Sequence, residues 1–191
     1  MTPDTAGVLR SSGSREEVTV SADTILEIRN ISKAFPGVKA LDNVSMSFRK
    51  GEVHALLGEN GAGKSTLIKI LTGALRPSSG SIVIDGHAYP HLTPAAAKHL
   101  GIAAIYQEFN LFPHLDVAEN IFYGRELTRG WFLNRNKMYE LTDRYCRDMG
   151  IVLNPRTLVK DLGVAQQQIV EIVKSMSGNA RILIMDEPSA P

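Results

Sequence analysis

The chain has 191 residues and a net charge of +1, from 21 basic and 20 acidic residues, and 43% of its residues are hydrophobic. This composition is typical of a globular domain, and it lacks the basic stripe of a protein that neutralises nucleic-acid phosphates. No apolar run reaches the roughly 18 residues of a membrane span, and a single cysteine cannot form an intrachain disulfide. We therefore expect a soluble domain that does not bind nucleic acid, with Cys146 as a small core residue.

The first half of the chain predicts a tail, closely spaced strands and two helices. Residues 1–24 are polar and lack the apolar run of a secretory signal, so we predict a disordered tail. Short apolar segments separated by glycine and proline turns predict strands, antiparallel where the spacing is tight. Helical spacing follows a glycine-rich loop, and Thr93 and Pro94 predict the N-cap and first position of another helix. The predicted strands are 25–32, 44–48, 53–57 and 81–85.

The second half predicts two apolar strands on either side of a long helical stretch. The strands are residues 102–106 and 181–185, and the pattern between 117 and 177 is mostly helical. Strands that alternate with helices predict an α/β fold with a mostly parallel sheet. We expect one domain over residues 25–191, with an antiparallel β-subdomain and an inserted α-helical subdomain at about 117–177.

The strongest motif is a glycine-rich loop between a predicted strand and a predicted helix. Residues 58–66 read GENGAGKST and fit the Walker A pattern of P-loop nucleotide triphosphatases, although a bland glycine-rich turn is the alternative. Glycines let backbone N–H groups approach phosphate oxygens, and the helix N-terminus adds a positive dipole end. Lys64 can place its ammonium between the β- and γ-phosphates, and Ser65 offers a hydroxyl to Mg²⁺. Lys64 is also predicted to act in catalysis. The predicted ATP-binding residues here are Gly58, Glu59, Asn60, Gly61, Ala62, Gly63, Lys64, Ser65 and Thr66.

A second motif ends the last predicted strand. The apolar run 182–185 delivers two adjacent carboxylates, Asp186 and Glu187, which is the Walker B arrangement. Asp186 is predicted to hold Mg²⁺ through its water shell, and Glu187 to polarise the attacking water as the catalytic base. A solvated strand end before a proline turn is the alternative.

A third motif brings the chain to a recognisable family. Residues 161–168 read DLGVAQQQ, and with the glycine-rich loop and the carboxylate pair they make the chain resemble the ATP-binding cassette (ABC) ATPases. The resemblance starts at about residue 25 and implies a P-loop NTPase core. With IVEIVK at 169–174, the variant is similar to the subgroup that serves bacterial monosaccharide importers of the ribose, xylose and galactoside type. A polar helix face is the alternative for residues 166–168. The implied signature residues are Leu162, Gly163, Val164, Ala165 and Gln166.

The resemblance also assigns single residues elsewhere. Gln107, in Tyr106-Gln107-Glu108, matches the family's Q-loop and is implied to act in catalysis and to sense Mg²⁺ and the γ-phosphate. Phe35 stands where the family stacks an aromatic ring on adenine. The aromatic-rich residues 109–115 that follow either lie near the groove for a permease helix or pack under the helical subdomain.

Two departures from the family pattern bear on activity. The signature serine of the family is Gly163 here, which keeps the backbone N–H groups but loses a hydroxyl donor, a loss of about 0.5–1.5 kcal/mol. The chain also stops just after the carboxylate pair, before the family's D-loop and switch histidine. We therefore expect a C-terminally incomplete cassette with a gap in its parallel sheet, which is either unstable or rearranged, and inactive, as a separate piece.

The resemblance implies a function for the intact protein. The intact protein is expected to be an ATPase subunit that uses ATP and Mg²⁺ to power sugar import and lies peripheral to the cytoplasmic face of the bacterial inner membrane. The implied partners are a second cassette, transmembrane permease subunits and, indirectly, a periplasmic or lipid-anchored sugar-binding protein. The alternatives are a nucleotide-binding fragment without turnover and a cassette ATPase outside transport.

Overall fold

The computed structural model describes residues 23–59, 61–106 and 110–186. The chain divides into two compact units, residues 1–100 and 101–191. Most of the predicted tail lies outside the described residues, but Thr24 already belongs to the first strand, so its placement in the tail is wrong. Thr24 pairs with Arg49 in the neighbouring strand, and this pairing carries the regular structure to the edge of the polar segment.

The first unit contains an antiparallel sheet, as the tight spacing of its strands predicts. Its strands lie in the order β2-β1-β3-β4. Pro36 and Gly37 connect the long hairpin of β1 and β2, and Gly37 has the positive φ of 81° that a tight turn requires. Consecutive residues of β1 and β3 are buried, among them Ile28 and Ile82, which pair across the two strands. The strands are β1 Thr24–Phe35, β2 Val38–Arg49, β3 Ser79–Ile84 and β4 His87–Tyr89.

Two helices complete the first unit. Helix α1 spans Lys64–Leu71 and buries four apolar residues of one face: Leu67, Ile68, Ile70 and Leu71. Helix α2 spans Pro94–His99, and the Thr93 hydroxyl accepts a hydrogen bond from the Ala96 amide at 3.2 Å. The predicted N-cap and the proline at the first helical position are therefore confirmed.

The predicted strand at 53–57 is wrong. This segment forms no regular secondary structure, and its apolar side chains are exposed, Val53 at 98% and Leu57 at 82%. An apolar run becomes a strand only when neighbouring strands satisfy its backbone and cover its side chains. Among the described residues no strand pairs with it, so the pattern alone does not produce the structure.

The second unit contains a parallel pair of strands, as predicted. Strand β5, Ile102–Ile105, pairs with β8, Ile182–Met185, in a register that runs from Ile102 opposite Ile182 to Ile105 opposite Met185. Ile102 and Ile105 are buried. The ends of β5 and β8 thus lie side by side, and each leads directly into a motif of the sequence.

Three α-helices and a 3₁₀ turn lie among the described residues between these strands. They are α3 Val117–Phe122, α4 Arg135–Asp148, a 3₁₀ turn Val159–Asp161 and α5 Val164–Met176. A small hairpin interrupts them with β6, Thr128–Arg129, and β7, Phe132–Leu133, which the sequence pattern does not predict. No helix among residues 23–59, 61–106 and 110–186 is long and apolar enough to cross a membrane.

The helices share one apolar core. Its centre contains residues from all three helices, including Ile121, Met138 and Val170. Cys146 is buried in this core, as predicted, and burial raises the pKa of its thiol above the ordinary value. The start of α3 is fixed by a capping box between Asp116 and Glu119. The Tyr139 hydroxyl of α4 donates to Asp116 at 2.8 Å, and this hydrogen bond raises the pKa of Tyr139.

Candidate functional site

The glycine-rich loop leads into the N-terminus of α1. Gly63 is the N-cap of α1 with a φ of 93°, and Gly61 has a φ of 86°, both in the left-handed region that glycine adopts without strain. A Cβ atom on Gly63 would lie 2.4 Å from the carbonyl oxygen of Ala40 in β2, whereas one on Gly61 would meet nothing within 4 Å. Gly63 is therefore required both by its backbone angle and by the close approach of α1 to β2.

Lys64 bridges the loop from its end to its beginning. Its ammonium donates to the carbonyl oxygen of Gly58 at 2.6 Å and to that of Glu59 at 3.0 Å. The loop is closed further by a bond from the Ala62 amide to the Glu59 carbonyl oxygen at 3.1 Å. A positive charge thus lies at the mouth of the loop, in a position set by the backbone.

The N-terminus of α1 adds donors beside this charge. The first helical bond joins the Leu67 amide to the Gly63 carbonyl oxygen at 2.9 Å. The amides of residues 64–66 therefore precede the first intrahelical bond, as in every α-helix, and point away from the helix body. Ser65 is exposed and Thr66 is partly buried. A glycine loop with an ammonium and a helix N-terminus is chemically suited to an oxyanion such as a phosphate.

Phe35 lies in the same unit at the end of β1. Its ring is 43% exposed, and the Lys33 ammonium lies 5.3 Å from the ring centroid. An exposed aromatic face beside a cation can accept a flat ring, which is compatible with the adenine contact that the sequence predicts. No finding tests that role, and it stays a prediction.

Asp186 lies at the end of β8 in the second unit. It is half-buried, and its backbone amide donates to the carbonyl oxygen of Ile105 at 3.0 Å, which extends the pairing of β8 with β5 by one residue. The strand therefore delivers the carboxylate as the Walker B pattern predicts. The predicted catalytic residues Gln107 and Glu187, and Asn60 of the glycine-rich loop, lie outside the described residues.

The signature residues form the start of α5. Gly163 is the N-cap with extended backbone, and its amide donates to the Gln166 side chain at 3.2 Å. Leu162 is buried, and its carbonyl oxygen accepts from the Gln167 side chain at 3.0 Å. The remaining signature residues are exposed: Gly163, Val164, Ala165 and Gln166. The segment thus presents a free helix N-terminus at the surface of its unit, held by its own glutamines.

Sequence reasoning missed the side chains that hold the loop before α3. Asn120 is fully buried, accepts from the Phe112 amide at 2.7 Å and donates to the Phe112 carbonyl oxygen at 3.0 Å. It also donates to the carbonyl oxygens of Leu115 and Asp116. The only signal was an asparagine in the apolar run of α3, which no motif singles out.

Residues 109–115 were predicted either to lie near the groove for a permease helix or to pack under the helical subdomain. Packing favours the second alternative. Leu111 packs against the helical core, and the Phe112 ring lies on Tyr123 with centroids 4.2 Å apart. Phe109 lies outside the described residues. The loop is therefore built into the helical stretch, while the edge formed by Phe112 and Tyr123 remains exposed at its surface.

The comparisons with known proteins agree with these motifs. The family described as ABC transporter matches residues 41–190. The chain is 52% identical to a ribose import ATP-binding protein of Streptomyces avermitilis over 170 residues, which are 89% of this chain and 33% of the relative. It is 48% identical to a xylose import ATP-binding protein of Thermoanaerobacter pseudethanolicus over 171 residues, 88% of this chain and 34% of that protein. The chain thus spans about a third of the length of the curated relatives that it matches.

Solved structures give the same fold. A nucleotide-free ATP-binding cassette from an ABC transporter superposes with a TM-score of 0.74 at 29% identity, covering 87% of this chain and 70% of that one. The cbiO1 protein of Clostridium perfringens, part of an ABC transporter complex, superposes with a TM-score of 0.73 at 28% identity, covering 88% and 67%. The predicted fold class, a P-loop ATPase of the cassette type, is confirmed.

Proposed function

Because the chain belongs to the ABC transporter family, we propose that it is part of an ATP-binding and ATP-hydrolysing subunit that powers sugar import. The observation that carries the proposal is the Lys64 ammonium, held across the glycine loop by two backbone carbonyls at the N-terminus of α1. The choice of a sugar is supported by the relatives, whose names include ribose, xylose and galactose import.

The glycine loop binds the triphosphate in this proposal. The ammonium of Lys64 turns from the loop carbonyls to the phosphate oxygens, an exchange of neutral acceptors for charged ones that strengthens each hydrogen bond. The amides of residues 64–66 donate to the same oxygens, and Phe35 stacks on the base. Asn60 belongs to this loop by sequence. Since backbone groups provide most of the contacts, the loop binds phosphates by position and charge.

Mg²⁺ fits the oxygen ligands that the sequence provides. Ser65, Asp186 and Gln107 offer a hydroxyl, a carboxylate and an amide oxygen, and Mg²⁺ prefers oxygen ligands with several waters retained. When bound, the ion neutralises charge that develops on the phosphates. Glu187 accepts the proton of the attacking water on its carboxylate. Gln107 is proposed to act in catalysis by sensing Mg²⁺ and the γ-phosphate.

The partners follow from the family. We propose that residues 162–166 donate their helix N-terminus to ATP bound by a second cassette, and that the assembly docks on transmembrane permease subunits at the cytoplasmic face of the membrane. A periplasmic or lipid-anchored sugar-binding protein acts indirectly. The exposed start of α5 supports the first part, because an uncovered helix N-terminus attracts an anion.

The test compares two lysines of α1 in the complete gene product. Lys64→Ala is expected to weaken MgATP binding about 10- to 100-fold, since it removes a hydrogen bond from a charged donor. Lys69→Ala, which changes an exposed lysine on the same helix, is the matched control and should bind as wild type. The measurement is the Kd of a fluorescent ATP analogue. Equal affinity of wild type and Lys64→Ala would refute the proposal.

A second candidate is nucleotide binding without turnover. It is favoured by the exposed segment 53–57 before the glycine loop, which pairs with no strand among the described residues, because a loop without a strand before it holds its donors less precisely. Glu187→Gln distinguishes the two. If the protein turns over ATP, this variant keeps the Kd for ATP and loses phosphate release; if the protein only binds, the variant and the wild type behave identically.

A further inference from the structure

The backbone of Asn110 is held by two charged side chains of α5. Its amide donates to the Glu171 carboxylate at 2.8 Å, and its carbonyl oxygen accepts from the Lys174 ammonium at 2.8 Å. Glu171 and Lys174 are three positions apart and therefore lie on one face of the helix. Both backbone groups of a single loop residue are thus bonded to the same turn of α5.

The carboxylate of Glu171 is buried, and its burial needs a physical reason. Glu171 is 8% exposed and lies between Val170 and Val173, both fully buried in the helical core. A carboxylate in such a position lowers stability unless hydrogen bonds compensate it. An apolar residue would pack at position 171 with a smaller loss of stability. The hydrogen bond to the Asn110 amide is therefore what a glutamate provides there and an apolar residue does not.

The same loop is bonded to the segment before α5. The Val159 amide donates to the Leu115 carbonyl oxygen at 3.1 Å, and the Lys160 amide donates to that of Pro113 at 3.0 Å. The loop formed by residues 110–116, the anchored loop, is therefore held on both sides of Leu162 and Gly163. From Gly163 to Glu171 the helix runs about 12 Å at 1.5 Å per residue, so α5 is a rigid connection between its N-terminus and the two charged residues.

We infer that Glu171 and Lys174 are positioning residues that make the anchored loop and the N-terminus of α5 move as one body. Neither side chain is assigned to the nucleotide, so neither is a catalytic residue. The kinetic consequence rests on the proposed function: the loop follows Gln107 in the chain by three residues, and α5 begins at the signature. Any change in one of these elements during ATP turnover is then transmitted to the other through Asn110.

Hydrogen exchange in the complete gene product without nucleotide tests the clamp itself. In Glu171→Ala, the exchange rate of the peptide that contains residues 110–116 should rise about tenfold, because an amide loses a charged acceptor. Glu171→Gln keeps an acceptor oxygen and should exchange nearly as wild type. Lys174→Met removes the donor while keeping the length of the side chain, and Lys174→Arg restores a donor.

Steady-state ATPase kinetics test the consequence. Glu171→Ala and Lys174→Met should lower kcat about tenfold, the size of one lost charged hydrogen bond, with the KM for ATP within about twofold of wild type. Glu171→Gln and Lys174→Arg should recover most of kcat. Lys137→Met is the matched control, because it breaks the exposed pair of Lys137 and Glu140 in α4 and should change neither exchange at 110–116 nor kcat.

The outcomes separate this inference from the proposed function. Wild-type exchange at 110–116 in both Glu171→Ala and Lys174→Met would overturn the clamp, whatever the ATPase activity. Faster exchange with an unchanged kcat would overturn the coupling. A wild-type protein that binds no ATP would remove the proposed function, while the exchange experiment would still decide the clamp. If Glu171→Ala fails to fold, the half-exposed Lys174 gives the same test through Lys174→Met.

Discussion

The anchored loop, residues 110–116, and the approach to the glycine loop, residues 52–59, are both segments without regular structure next to a predicted functional motif. The anchored loop is bonded at Asn110, Phe112, Pro113 and Leu115 by side chains and amides of its own unit. The approach segment is apolar, yet most of it is exposed and forms no strand. The anchored loop is held by hydrogen bonds although it belongs to no sheet. The approach segment has a strand-like sequence pattern but pairs with no strand among the described residues.

The difference lies in where each segment finds its hydrogen-bond partners. The anchored loop uses partners that local helices supply, above all Asn120, whose side-chain amide bonds both backbone groups of Phe112. An apolar strand has no such side chains and depends on the backbone of neighbouring strands. Polar side chains can therefore fix a loop within one compact unit, whereas a buried strand forms only when the rest of its sheet is assembled around it.

The largest expected effect comes from the glycine loop, which follows the approach segment in the chain. Gly63→Ala places a Cβ atom 2.4 Å from the Ala40 carbonyl oxygen in a left-handed backbone conformation. We expect a loss of roughly 3–5 kcal/mol in the free energy of unfolding and the loss of ATP binding. Urea denaturation followed by circular dichroism, and nucleotide titration, measure the two effects.

Gly61→Ala is the matched control for Gly63→Ala. Gly61 has a similar φ but open space around it, so the cost is limited to the backbone strain of about 1–2 kcal/mol. Equal losses in the two variants would show that the packing of α1 against β2 does not position the glycine loop.

The next effect tests the anchored loop. Asn120→Leu keeps the branched shape of the buried side chain but leaves the Phe112 amide without its acceptor, which should lower the free energy of unfolding by about 2–3 kcal/mol. The carbonyl oxygens lose less, because those of Phe112 and Leu115 also accept from the Leu115 and Val159 amides.

Asn134→Leu is the control, because the Asn134 side chain accepts from the Lys137 amide at the start of α4 and its loss should cost about 1 kcal/mol. Thermal or urea unfolding ranks the two variants. A smaller loss for Asn120→Leu than for Asn134→Leu would mean that the loop does not depend on its buried amide.

The smallest effect concerns the start of α5, to which the anchored loop is bonded. A side chain on Gly163 would meet nothing within 4 Å, and the backbone is extended, so serine fits without strain. Gly163→Ser should raise stability by only a few tenths of a kcal/mol, about 0.3. ATPase activity of the intact protein should rise about 2- to 10-fold if the hydroxyl restores a bond to the γ-phosphate.

Gly163→Ala supplies the control for that rise, because it adds a Cβ atom without a hydroxyl. If Gly163→Ser hydrolyses ATP no faster than the wild type, then Gly163 does not weaken the signature. Equal gains in both variants would assign the change to the backbone.

Local patterns predicted the elements that cap residues, turn residues or apolar runs mark by themselves. Thr93 and Pro94 start α2 as their residue types imply, the hairpin of β1 and β2 turns at Pro36 and Gly37, and the parallel strands β5 and β8 form over the predicted apolar runs. The glycine loop was recognised because phosphate binding needs those residue types at that spacing. The roles of the individual site residues remain predictions, since no finding tests them.

The sequence by itself determined the family, the loop that begins α1, the carboxylate after β8 and the helical start at Gly163, because each depends on neighbours within a few residues. Only the tertiary structure decided that residues 53–57 do not form a strand and that Asn120, Glu171 and Lys174 hold the anchored loop. The physical reason is distance along the chain: the partners of Asn110 lie about sixty residues away, and no local pattern specifies which backbone group a buried polar side chain will meet.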